Sequence, residues 1–104
     1  MKLTATDYIA RVDEIISMAT EGKLPVQVGI LAGSLRNLRP DDNPQADPAP
    51  GHEFMSSSDI RDRLAEVCDL ELNEIAGVMT ALGYHVYITP FNDAQWAIKD
   101  KEAD

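Results

Sequence analysis

The sequence predicts a mainly helical α+β chain: an N-terminal helical hairpin, a proline-rich connection, then a helix pair followed by a two-stranded β-hairpin. Three observations carry this. Apolar residues recur at helical spacing over 8–19, 28–38 and 60–82. Strict alternation replaces that period over 84–98. Between the two helical regions, residues 40–55 hold four of the six prolines.

Residues 7–20 read as an amphipathic helix. Tyr8, Ile9, Val12, Ile15, Ile16 and Ala19 share one face, with Arg11, Asp13 and Glu14 opposite. Thr6 or Asp7 suits the start, and Gly22 suits the stop. Pro25 fits the first turn of a second helix. Val28, Leu31, Leu35 and Leu38 continue it as a stripe, with a strand over 26–31 as the rival reading. Gly29 and Gly33 weaken such a helix, which a close helix crossing explains. Their surroundings lack the lysine and glycine spacing of a phosphate loop. Arg36 and Arg39 then close the helix, where cations suit its dipole.

In residues 40–55, missing amide donors and fixed φ angles exclude helix and central strand. A stiff extended linker or exposed loop is expected there. The domain reading is therefore a hairpin over 1–39, this linker over 40–55, and a module over 56–104 with a short charged tail.

Ser56, Ser57, Ser58 and Asp59 mark a helix start. Ile60, Leu64, Val67 and Cys68 give its apolar face. After a short turn at 69–71, Leu72, Ile75, Ala76, Met79 and Leu82 form the next stripe, which Gly83 ends. Tyr84, Val86 and Ile88 alternate with His85, Tyr87 and Thr89, and Pro90 ends that strand. Ala94, Trp96 and Ile98 form the buried side of the returning strand.

On Ser58, Asp59, Ile60, Leu64, Leu72, Ile75, Met79, Leu82, Gly83, Tyr84 and Trp96, residues 56–98 resemble a winged helix-turn-helix, as found in small phage and prophage proteins. The resemblance implies the fold and, by itself, DNA binding with the second helix in the major groove. The residues oppose that function. The outward positions of the second helix are Glu71, Asn73, Glu74, Gly77, Val78, Thr80 and Ala81, without a base. Asn73 and Thr80 could touch bases, but base contacts need phosphate contacts to hold register. The wing tip offers Asp93 beside Phe91, and Arg61 and Arg63 lie among Asp59, Asp62 and Glu66.

Net charge is −9, with +1 over residues 1–39, −4 over 40–55, −5 over 56–98 and −1 over the tail. That field repels phosphate and anionic membranes and favours a partner with a basic surface. Glu71, Asn73, Glu74, Thr80, Tyr87, Phe91 and Asp93 are the candidate contact residues, with Tyr87 and Phe91 as aromatic anchors among acids. By analogy with small acidic phage proteins, the expected function is a non-catalytic inhibitor of a nucleic-acid-binding host machine, of anti-CRISPR or DNA-mimic type. The alternatives are a DNA-binding regulator, and a structural subunit that dimerises through the N-terminal hairpin.

No catalytic constellation is expected. His52 and His85 with the single Cys68 lack zinc-ligand spacing, and no cofactor fingerprint is present. Cys68 falls on an apolar stripe as a core thiol, and the carboxylate pairs have no pocket to shift them. No apolar run has the length of a membrane span, and the opening residues lack a signal-peptide core. A soluble cytoplasmic protein is expected.

Overall fold

The computed structural model describes residues 4–45 and 47–102. Helix α1 spans Ala5–Thr20 and α2 spans Val26–Ser34. Strand β1 covers Leu38–Pro40 and β2 covers His52–Met55. Helices α3 (Ser57–Leu64) and α4 (Leu72–Ala81) follow, then β3 (Val86–Ile88) and β4 (Ala94–Asp100). The expected helical hairpin, helix pair and β-hairpin wing are all present.

Helix α1 begins earlier than expected. Thr4 caps it, its Oγ1 accepting the Asp7 amide at 3.1 Å, and Asp7 itself falls in the first turn. Gly22 leaves the helix with φ +80°. The α1–α2 crossing is tight at Gly29, where a Cβ would lie 2.7 Å from that of Ala19. Gly33 makes no such approach; a Cβ there would meet Ile16 Cδ1 at an ordinary 4.0 Å.

The second helix stops at Ser34, short of the expected 39. Leu35 is its C-cap, and the Leu38 amide folds back to the Leu35 carbonyl at 3.0 Å. The chain then enters β1, whose Leu38, Arg39 and Pro40 pair antiparallel with Asp100, Lys99 and Ile98. Sheet pairing therefore replaces the last helical turn. Arg36 and Arg39 do not close the helix. Arg36 pairs with Asp13, while the Arg39 guanidinium sits 4.6 Å from the centre of the Tyr8 ring.

The proline-rich segment also ends in a strand. In β2, His52, Glu53, Phe54 and Met55 pair with Lys99, Ile98, Ala97 and Trp96. The prolines stop before residue 51, so these four residues have the amides that pairing requires. Strand β4 is thus central, with β2 along one edge. Along the other edge β3 faces residues 94–96 and β1 faces 98–100.

That position corrects the expected alternation. Trp96, Ala97 and Ile98 are all buried, because the strand is covered on both faces. On the Ala97 face, Phe54 and Tyr87 lie on flanking strands and stack at 4.6 Å with ring planes 10° apart. Tyr84 is buried ahead of β3, but Val86 and Ile88 are 52 % and 56 % exposed. The expected buried side of that strand therefore faces water.

Helix α3 starts at a capping box. The Asp59 amide donates to Ser56 Oγ and the Ser56 amide to Asp59 Oδ2, each at 3.0 Å. It ends at Leu64, earlier than the expected stripe, so Val67 is exposed while Leu70 packs inside. Helix α4 keeps Ile75, Met79 and Leu82 of its expected face fully buried, but Leu72 is 45 % exposed and Val78, expected outward, is buried against the core; Gly83 follows with φ +87°. Tyr8 and Val12 from α1 and Leu31 from α2 join those residues and Ile98 in one core cluster.

Candidate interaction face

Helix α4 carries four of the candidate contact residues, and the wing carries three. Glu71 is the α4 N-cap and is exposed. Its amide donates to Glu74 Oε1 at 3.0 Å, which satisfies a donor that the helix start leaves unpaired. Glu74 Oε2 accepts from Gln27 Nε2 of α2 at 3.2 Å. Glu74 is therefore half-buried, holding the helix start and tying α4 to the hairpin. Asn73 and Thr80 are exposed on the same helix.

The wing turn is closed by the Thr89 amide on the Asp93 carbonyl at 2.9 Å and by the Asp93 amide on Thr89 Oγ1 at 3.2 Å. Asn92 completes it with φ +65°, a conformation asparagine tolerates better than most residues. Phe91 projects from this tip with 87 % exposure, and Asp93 is exposed beside it. Tyr87 has a different environment: half-buried and stacked on Phe54, it belongs to the sheet as much as to the surface. Val86 and Ile88, which the sequence placed inside, extend the apolar surface of the wing with Phe91.

The five arginines are all engaged within the chain. Arg11 donates to the Ala81 carbonyl at 2.8 Å, and Arg36 pairs with Asp13. Arg39 covers Tyr8 and donates to the carbonyls of Arg36 and Leu38. Arg61 lies 3.6 Å from Asp62, and Arg63 4.0 Å from Glu53. Among the described residues, Glu71, Glu74 and Asp93 form no ion pair. The exposed positions of α4 and of the wing tip therefore carry acidic, polar and apolar side chains, with Arg11 of α1 held at the end of α4 on the Ala81 carbonyl.

A second polar region lies where the proline-rich segment meets the sheet. Asp41 is buried, accepting the Asn43 amide on Oδ1 and facing His52 Nδ1 from Oδ2, both at 3.0 Å. Asp42 Oδ1 lies 3.1 Å from His85 Nε2. These contacts flank a recess of about 330 Å³ that Lys99 also lines. Along the sequence both histidines stand isolated, without ligand spacing. Their partners lie 11 and 43 positions away, and only sheet pairing brings them together. Among the described residues no three His, Cys, Asp or Glu side chains converge as a metal site would need, and no helix is long and apolar enough to cross a membrane.

The structure therefore shows a small α+β domain with helix-turn-helix-like pairing and a β-hairpin wing. No protein family, curated protein or solved structure shows significant similarity to this chain.

Proposed function

We propose that this chain is a non-catalytic protein-binding module whose α4–wing face docks on a basic protein surface. One observation carries the reading: every arginine is tied to a group of the chain itself, while α4 and the wing tip present Glu71 and Asp93 without a paired cation. A DNA reader needs the reverse, because phosphate contacts supply most of its affinity. Exposed Phe91 among polar groups suits a protein contact, where an aromatic anchor is desolvated inside a polar rim. The charge favours one form of this function, a phage-type inhibitor that occupies the basic surface of a nucleic-acid-binding machine.

The test is equilibrium binding to purified nucleic-acid-binding enzymes over a salt series. Complexes should weaken about tenfold or more from low to physiological salt, as for an electrostatically driven interface. Paired Glu71→Gln and Asp93→Asn substitutions should weaken them further. Absent or salt-insensitive complexes would reject the reading. A mobility shift of random duplex DNA at micromolar protein and low salt would replace it with the DNA-binding alternative.

A further inference from the structure

Gly77 stands in the interior of α4, yet the chain's own packing does not require it. A Cβ there meets nothing within 4 Å, in contrast to Gly29 against Ala19. Its backbone is helical, so no turn requires a glycine either. An interior glycine weakens a helix, and its usual compensation is close approach by another backbone. Gly77 instead borders an open groove of about 270 Å³ between the N-terminal hairpin and α4. Ile15 of α1, Leu24 and Val28 of the hairpin, and Val78 and Ala81 of α4 make it apolar.

One charged side chain lines this groove, that of Glu74. Its oxygens take an amide proton from Glu71 and one from Gln27, both neutral donors, and no cation among the described residues pairs with it. Arg11 is held on the Ala81 carbonyl and does not reach it as an ion pair. The groove thus combines an apolar floor without a side chain at Gly77 and an uncompensated carboxylate at its edge.

We infer that this groove seats an amphipathic helix of a partner protein, its apolar stripe over Gly77 and a lysine or arginine against Glu74. A helix suits the site because an i, i+3, i+4 stripe can set apolar side chains against Ile15, Leu24, Val28 and Ala81, and glycine lets the backbones approach. The inference rests on the protein-binding reading above and adds to the α4–wing face a second contact region with its own partner chemistry.

Three synthetic peptides of equal length test it: an amphipathic leucine–lysine helix, a leucine–glutamate counterpart, and an all-lysine peptide. Each is titrated into the full chain while backbone amide resonances are followed. The leucine–lysine peptide should bind, with shifts centred on residues 15–28 and 73–81, and the other two about tenfold more weakly or worse. Gly77→Leu fills the groove with a better helix former, so it should melt no lower than the parent yet lose about tenfold in affinity. Glu74→Gln retains a residue competent in the capping box and should lose several-fold, whereas Asp93→Asn should not change this binding.

Absent binding of the leucine–lysine peptide, shifts confined to the wing, or undiminished binding by Gly77→Leu would each overturn the inference. So would self-association of the parent chain that Gly77→Leu abolishes, because a second copy would then fill the groove. Salt-sensitive complexes with basic enzymes that persist in Gly77→Leu would remove the groove and leave the α4–wing reading standing.

Discussion

At the scale of single residues, a buried tyrosine pair connects the two ends of the sequence. Tyr8 of α1 donates to the Leu35 carbonyl at 2.7 Å, so the 2.7 Å contact with Tyr84 must have Tyr84 as donor. Removing different members of this chain has unequal costs. Tyr84→Phe deletes the terminal donor and should cost about 1 kcal/mol, whereas Tyr8→Phe removes two hydrogen bonds and strands the buried Tyr84 hydroxyl, the Leu35 carbonyl keeping the Leu38 amide, and should cost more, about 2 kcal/mol. Urea unfolding of both variants checks the order. Burial raises the ionisation of both hydroxyls above the ordinary tyrosine value of 10.0, with the Tyr8 neighbour adding to the rise at Tyr84 and Arg39 opposing it. A raised acid favours the neutral form in the folded state. Its contribution is therefore complete below the unfolded value and is lost as pH climbs above about 10, where the unfolded chain releases protons first. The unfolding midpoint should fall in that range, less steeply in Tyr84→Phe. The sequence placed Tyr8 and Tyr84 on buried faces, but nothing in their local periodicity could reveal that the two hydroxyls meet.

At the scale of elements, the start of α3 and the glycine stops at Gly22 and Gly83 were the most legible features. The Ser56–Asp59 box lies at the expected start of α3, and Ser56→Ala should cost about 1 kcal/mol, read from thermal or chemical unfolding. The box hydrogen bonds also hold the Asp59 carboxyl below its ordinary range, so this part of the cap is present above pH about 4 and weakens as acid protonates it. Gly29 and Gly77 illustrate how alike two interior glycines look in sequence. Gly29→Ala forces a Cβ against that of Ala19 and should destabilise, while Gly77→Ala meets open space and should stabilise by up to about 1 kcal/mol. Melting temperatures moving in opposite directions would confirm the contrast. The two departures from the expected elements share one cause. Residues 38–40 and 52–55 became strands, although helical spacing and proline content argued otherwise, because β4 offered open backbone groups on both edges.

At the scale of the whole molecule, the helical hairpin and the winged portion contribute to a common interior. Tyr8, Val12 and Leu31 pack in the same cluster as Ile75, Met79, Leu82 and Ile98. Leu31→Ala, at a fully buried position, should therefore cost about 2–5 kcal/mol and lower both helical and near-ultraviolet signals in one coincident transition. Two separate transitions would contradict a common core. Local sequence determined the existence and order of the helices, the start of α3, the glycine stops, the presence of a wing and the overall acidity, since these follow from nearest-neighbour sterics, periodicity and residue charge. Only the tertiary structure decided which arginines were neutralised, that Glu74 faces a groove, that Val86 and Ile88 lie outside, and that β4 is the central strand. Those outcomes depend on contacts between residues tens of positions apart, whose geometry exists only once the chain has closed around its core.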